Sequence, residues 1–509
     1  MESERILNTK RNIVMGTLAK LVNLLFPLAI NAIIIKKLGI EYQGLSSLFA
    51  CILQVLSLAE LGIGSAMVFS MYEPIACHDV PKVCALLRLY RKIYLIIGCV
   101  IFAAGLCCMP FLTLFVAGDV PADTNIYILF LISLFNTSIS FFLFAYREAL
   151  FQASQRTDIR DTIAMILDII LSIAKILVLI ILADYYIFCL LIPLFTIINN
   201  IVTALVTRKK YPEYRCAGTV SKEERLDISR RVSGLFINRF CDVICNSFDS
   251  IIISSFLGLE MLGKYNNYFY LMNALMMLLA ILVNSAIPSM GNSVVLETQK
   301  KNYDDFCTLQ FGYSWLTGWV AVSLLGIYQT FIKFWVGEDM LLMMPLPVLM
   351  CVYLYVVKSG EVFMAYRQAA GIWSHDKIRP VFEALLNLGL NIWFVKMWGV
   401  VGVVLSTILT LGLIRLTWGS WYLFNEYFRD YSHGRYLLRM CYYTVITVAA
   451  GIANFALCEL IPIEGFLGLV IRGGICITVP NIIFIVSYYR LPEFKKAVKL
   501  GKSLLKREW

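Results

Sequence analysis

Two cations at matched positions are the residues most able to do chemistry here. Lys20 lies nine residues beyond Arg11 in an apolar run, about 13 Å along a helix rising 1.5 Å per residue, so it falls near a bilayer midplane. Adding 219 to its number reaches Arg239, another cation in another apolar run. An ionised side chain at mid-membrane costs about 2.5–3.5 kcal/mol on insertion scales, so such groups face protein, water or substrate. Two readings of the pair stand. Facing one another, Lys20 and Arg239 form a cationic site suited to phosphate, with Arg239 able to grip it bidentately. Alternatively each is neutralised by a neighbouring acid, and Asp242 lies one turn from Arg239.

Other intramembrane charges carry similar alternatives. Arg415 sits mid-run with no acid nearby in sequence and joins the anion-site candidates. Lys358 precedes Glu361 by three residues, the spacing of a local helical ion pair, and is otherwise a fourth substrate contact. Lys175 shares a helical face with Asp168 two turns earlier, and Lys333 and Arg472 lie near a span end, where long basic side chains snorkel. The interior acids are Glu60, Asp168, Asp242, Asp249 and Glu361. They serve either as partners for these cations or as sites for a coupling proton or Na+. Asp249, with no basic residue within a turn, is the strongest coupling candidate, followed by Asp168 and Glu60. Arg147 and Arg367 end their spans at the cytoplasmic side. They are membrane anchors in one reading and guides for an anionic headgroup in the other.

Several chemistries are missing. The three histidines, His78, His375 and His433, fall in connections, so an intramembrane histidine metal site is not expected. Gly501-Lys502-Ser503 resembles the end of a P-loop, but position 496, where its first glycine belongs, is Lys. Asn136-Thr137-Ser138 matches a glycosylation sequon but lies inside an apolar run and is set aside. Fifteen cysteines, an odd number without CxxC spacing, point to buried apolar thiols rather than disulfides or zinc. No enzyme, resident cofactor or metal is expected; a secondary transporter remains.

The elements positioning these residues are transmembrane helices. Of 509 residues, 60% are apolar and only 15% charged, against roughly 25% charged in soluble domains. Apolar stretches of about 20 residues, each long enough for a ~30 Å hydrocarbon core, recur from residue 13 to residue 488. The reading is fourteen spans, among them 44–70 as the second, 125–150 as the fourth, 233–257 as the seventh and 265–290 as the eighth. Between 161 and 207 only Ala183-Asp184-Tyr185 separates two of them. With the N-terminus and every second connection in the cytoplasm, those segments hold 33 of the 44 Lys and Arg, and the opposite connections hold four. That asymmetry orients the chain, both termini cytoplasmic. It attributes the +10 net charge to topology and anionic lipid, not to nucleic acid. The polar N-terminus leads directly into a full-length span, so a cleaved signal peptide is not expected.

An internal repeat organises the spans. Leu38-Gly39-Ile40-Glu41-Tyr42-Gln43-Gly44 recurs as Leu257-Gly258-Leu259-Glu260-Met261-Leu262-Gly263, offset by 219. Ala145-Tyr146-Arg147-Glu148-Ala149 recurs as Ala365-Tyr366-Arg367-Gln368-Ala369, offset by 220, and Ile159-Arg160 recurs as Ile378-Arg379. Six spans per copy preserve orientation, giving parallel repeats about an axis along the membrane normal, with a substrate site where they meet. The expected organisation is an N-lobe (1–210), a cytoplasmic linker (211–232), a C-lobe (233–428), two further helices (429–490) and a basic tail (491–509). The tail is either an interfacial helix placing Phe494, Val498 and Leu505 on one face or a frayed end.

These features together resemble the multidrug/oligosaccharidyl-lipid/polysaccharide exporter superfamily. Lys10-Arg11-Asn12 with Gly16, the Leu38-Gly39 to Gly44 turn, and Leu58-Ala59-Glu60-Leu61-Gly62-Ile63-Gly64-Ser65 resemble its polysaccharide transporter branch, which includes Wzx-type O-antigen and capsule flippases. The resemblance implies a bacterial plasma-membrane flippase for undecaprenyl-diphosphate-linked oligosaccharide. It would work by alternating access, with Lys20, Arg239 and Arg415 on the diphosphate, the polyprenyl tail in lipid, and a proton or Na+ gradient as a driving force. The implied partners are the lipid-linked oligosaccharide, membrane lipids and a polysaccharide polymerase. The alternatives are a lipid II flippase and a multidrug cation antiporter, the latter disfavoured by interior cations.

Overall fold

The computed structural model describes the backbone of residues 2–506 apart from Leu61, Asp119, Ala122 and residues 373–377. Side chains are not described for residues 2–10, Ile13, Ala59, residues 230–231, 233–235 and 237–239, Asn246 and residues 500–506. His375 and the side chains of Arg239 and Leu505 therefore lie outside the described residues.

Every regular element described is helical, and the contacts divide the chain into two units, Met1–Gly263 and Lys264–Trp509. The first holds α1 (Glu2–Lys37), α2 (Ile40–Leu56), α3 (Ile63–Ala76), α4 (Val80–Cys108), α5 (Ile126–Phe142), α6 (Glu148–Ala153), α7 (Thr157–Ile181), α8 (Tyr185–Lys210) and the first part of α9 (Lys222–Leu296). Among the described residues eleven helices are long and apolar enough to cross a membrane, or twelve if the bent pair of α5 and Ala145–Ala153 is one span. Three backbone breaks explain why this count differs from fourteen. The expected second span is divided by a 3-10 turn at Ser57–Glu60, leaving α2 too short to qualify. Phe144, at φ 57°, bends the fourth by 49°. Gly258, at φ 85°, interrupts α9, whose apolar stretch Phe240–Leu296 otherwise runs on continuously.

Local chemistry sets several boundaries. Asp184 caps α8 by accepting from the amides of Tyr186 (2.7 Å) and Ile187 (3.1 Å), so three residues suffice to part α7 from α8. Asn125 caps α5 in the same way, at 3.0 and 3.3 Å. Ser221 and Glu224 form a reciprocal capping box at the start of α9, the serine amide donating to the Glu224 carboxylate (3.2 Å) and the glutamate amide to Ser221 Oγ (3.2 Å). The basic connection before it is no loose tether. Tyr214 and Val220 are buried, and Arg88 donates to the Gly218 carbonyl at 3.0 Å.

The repeated glycine turns meet inside the first unit. A Cβ on Gly44 would lie 2.2 Å from the Leu259 carbonyl oxygen, and one on Gly263 would lie 2.7 Å from that of Ile40. Since 259 and 263 are the repeat equivalents of 40 and 44, each copy's glycine receives the other copy's backbone. Such reciprocity is what a two-fold relation between two copies of one motif produces. Only glycine permits that approach.

The second unit comprises the end of α9 with α10 (Gln299–Val336), α11 (Pro345–Ser359), α12 (Glu361–Ala369), α13 (Ile378–Trp398), α14 (Val400–Thr410), α15 (Gly419–Glu426), α16 (His433–Glu459), α17 (Gly465–Tyr488) and α18 (Pro492–Lys506). The tail is helical throughout α18. It is pinned, not merely interfacial: Phe494 stacks on Trp315 (5.9 Å), and Glu493 and Lys496 pair with Arg439 (3.1 Å) and Asp304 (3.2 Å). All fifteen cysteines are free thiols. Cys241 and Cys245 are buried, whereas Cys99 and Cys107 are exposed, because the outer face of a membrane helix is wetted by lipid. Ile181 (72% exposed) and Leu114 (70%) share that condition.

Candidate functional site

In the first unit, Lys20 is exposed on α1 with no ion pair or hydrogen bond among the described residues. Its repeat equivalent Arg239 lies on α9, with its side chain outside the described residues. The interior acids are engaged. Glu60, in the 3-10 break, accepts from Tyr94 (2.9 Å), whose hydroxyl in turn accepts from Tyr90 (2.6 Å). Asp168 lies close to Asn23 and within electrostatic reach of Lys175. Lys175 places its ammonium 5.1 Å from the Phe188 ring centroid, itself stacked on Tyr185 at 5.5 Å. A cation is thereby held over an aromatic face rather than in a full ion pair. Asp249 is buried, within electrostatic reach of Cys51. Arg147 follows the Phe144 bend, close to Tyr146, its Nε buried and, among the described residues, without a hydrogen-bond partner.

The second unit gathers charge around one carboxylate that sequence reasoning passed over. Glu383, 1% exposed, takes Arg379 Nη1 on one oxygen (2.6 Å) and Arg415 on the other, through Nη2 (2.6 Å) and Nε (2.9 Å). Arg415 thus has an acid after all, 32 residues away on the neighbouring helix, which no search along one helix would find. Arg415 lies in a π-helical stretch, Leu411–Trp418; such stretches re-aim side chains and recur at functional sites. Below Glu383 the same α13 stripe continues. Asn387 donates to Thr407 (3.1 Å) and Thr410 (3.2 Å), Asn391 donates to Asn387 (3.1 Å), and Ser406 donates to Asn391. A spacing of four through Arg379, Glu383, Asn387 and Asn391 was the available signal: one polar face on an otherwise apolar helix.

Lys358, 5% exposed, forms an ion pair with Glu361, which also accepts from Tyr313. Arg367, 4% exposed, lies 5.6 Å from the Tyr422 ring centroid. An apolar cavity of about 650 Å³ opens among α10, α11, α16 and the π-helical stretch, with Tyr355 and Thr444 hydrogen-bonded at its wall (3.1 Å). Among the described residues no group of three His, Cys, Asp or Glu is arranged to hold a metal.

This architecture is shared with solved transporters. A lipid II flippase, MurJ, in an inward closed conformation superposes with a TM-score of 0.65 at 16% identity, over 96% of this chain and 99% of that one. An inward-facing multidrug resistance MATE family transporter of the MOP superfamily gives 0.63 at 13% identity, over 81% and 98%. A MOP superfamily transporter from Pyrococcus furiosus, described as having a binding pocket of reverse polarity, gives 0.56 at 12% identity, over 82% and 95%. The class is therefore a multi-pass membrane protein with the fold of the MOP superfamily. Within it, residues 9–294, more than half of the chain, match the family described as Polysaccharide biosynthesis protein, and the chain belongs to that family. No curated protein matches the sequence.

Proposed function

We propose that this chain is a plasma-membrane flippase that moves an undecaprenyl-diphosphate-linked oligosaccharide across the bilayer during bacterial surface polysaccharide synthesis. It would alternate access between two parallel repeats in a fourteen-span chain with both termini cytoplasmic. Family membership supports the polysaccharide context. The observation that carries the anionic substrate is Lys20, an exposed ammonium in the apolar helix Val14–Lys37 with no acid partner among the described residues. Left in lipid it costs energy, whereas a diphosphate crossing at that depth neutralises it. Arg239 is the further diphosphate contact in this reading; Arg415 and Lys358, held by Glu383 and Glu361, would contact it only by exchanging a carboxylate for the diphosphate. Arg147 and Arg367 receive the headgroup, and Asp249, Asp168 and Glu60 are the sites for a coupling proton or Na+. A polymerase receives the product.

The test is genetic and biochemical together. Deleting the gene should abolish surface polysaccharide and trap lipid-linked oligosaccharide on the cytoplasmic leaflet. Lys20→Gln should lower export at least about tenfold, the loss of one charge-assisted contact, with protein abundance unchanged. Intact polysaccharide alongside lost drug resistance would replace this reading with a cation antiporter. Lethality on depletion would point to lipid II.

A further inference from the structure

A second polar feature of the first unit lies apart from the charges. Between α2, α5 and α8 is a cavity of about 390 Å³ whose walls include Phe49, Gln54, Ser57, Ser133, Asn136 and Thr137. Apart from the Cys189 thiol, nothing lining it can ionise. Ser133, Asn136 and Thr137 lie seven to eleven residues into α5, roughly 10–17 Å along its axis, so the polar wall sits in the middle of the hydrocarbon zone.

The hydrogen bonds there are spent asymmetrically. Asn136 Oδ1 accepts from Thr196 Oγ1 (2.7 Å), and Gln54 Oε1 accepts from Ser247 Oγ (3.3 Å). Each amide thus commits its oxygen to the protein, and neither amide nitrogen has a protein partner among the described residues. Ser133 and Thr137 donate their hydroxyl hydrogens back to the Leu129 and Ser133 carbonyls, both at 3.0 Å, which leaves their oxygen lone pairs to accept. Ser57, where α2 gives way to the 3-10 turn, adds a hydroxyl. Phe49 is held edge-on against Phe130 at 5.4 Å and supplies a rigid apolar wall.

Unanswered amide donors at mid-membrane are costly unless water or a polar ligand answers them. With no cation in the wall, a phosphate has nothing to pair with. With no carboxylate, neither has an organic cation. An acyl chain would leave both amides unsatisfied. A ring bearing vicinal hydroxyls fits: its hydroxyl oxygens accept from the two amides, its hydroxyl hydrogens go to Ser133 and Thr137, and its C–H face lies on Phe49. We infer that this pocket is a carbohydrate subsite for a neutral mono- or disaccharide unit. As to its natural ligand it rests on the flippase reading, in which the subsite would hold a sugar of the lipid-linked oligosaccharide.

The test uses the full chain in lipid nanodiscs. A panel of neutral disaccharides, and separately inorganic diphosphate, is titrated while the unfolding temperature is followed. At least one disaccharide should raise it in the wild type. Asn136→Leu with Gln54→Met should weaken that response at least about tenfold, the loss of two neutral hydrogen bonds, while any diphosphate response stays in place. Ser133→Ala with Thr137→Val, a gentler pair, should weaken it in the same direction should the first pair fold poorly. A wild type indifferent to the whole panel means a pocket that holds only water and overturns the inference, as does an undiminished response in the variants. Transport of undecaprenyl-diphosphate-linked oligosaccharide in proteoliposomes is scored separately. Sugar binding without transport sinks the flippase reading and leaves the subsite standing. Transport with no sugar response does the reverse.

Discussion

The polar stripe of α13 in the second unit and the polar hollow of the first keep the same kinds of side chain in opposite conditions. In Lys264–Trp509 the amides and hydroxyls of α13 and α14 bond to one another, and Glu383 is clasped by two arginines. In Met1–Gly263 the amides of Gln54 and Asn136 spend only half their capacity, and Lys20 stands unpaired among the described residues. One set ties helices together; the other remains open to whatever enters. A polar residue in a membrane helix is thus no functional mark by itself. What distinguishes the two cases is whether a neighbouring helix has already taken its hydrogen bonds.

That contrast can be broken by stability measurements. The largest effect should come from Glu383→Ala, which leaves two guanidiniums without their shared carboxylate. A loss of about 3–5 kcal/mol, read as a lower unfolding temperature in detergent, is expected, and an unfolding curve like that of the wild type would refute the clasp. Next is Gly44→Val in the first unit, at the point where the Leu259 backbone closes on the glycine. A Cβ there meets the Leu259 carbonyl oxygen at 2.2 Å, a backbone atom rather than a flexible side-chain end, and overpacking should cost about 1–3 kcal/mol.

The sharpest comparison sets one asparagine against another. Asn387→Leu breaks the ladder to Thr407 and Thr410 and should cost about 1–3 kcal/mol. Asn136→Leu surrenders only the Thr196 bond, about 0.6 kcal/mol for a typical interhelical hydrogen bond in a membrane. Equal costs would erase the distinction between tie and open site.

The smallest effect lies outside the membrane at Glu224. Its capping bonds to Ser221 and its ion pair with Lys82 (3.3 Å) hold its carboxyl below the usual value of 4.5. A lowered folded-state value means the contribution is present above pH 4.5 and fades as pH falls through the lowered value. Because the pair is partly exposed, Glu224→Gln should cost less than about 1 kcal/mol. The difference from wild type, followed by thermal unfolding across pH 3–6, should vanish at the acid end.

How much could be read beforehand follows the same division. Apolar runs, basic connections and the twin glycine turns were visible because hydrophobicity, charge bias and glycine act locally or at a fixed repeat. The partner of Arg415 was not, since Glu383 is distant in sequence and adjacent only once α13 packs on the π-helical stretch. In sequence, Asn136 shows only a glycosylation sequon inside an apolar run. Its amide nitrogen, without a partner among the described residues, becomes evident once Thr196 of α8 lies on its oxygen.

The amino-acid order alone therefore settled that this chain is a bundle of membrane helices carrying one glycine-turn motif twice, because partition into lipid depends on composition along single segments and a glycine turn is local. Which charges are clasped, which amides are spent and where a polar hollow survives were decided by helix packing. A hydrogen bond or ion pair is a property of two surfaces meeting, and one strand of text holds only one of them at a time.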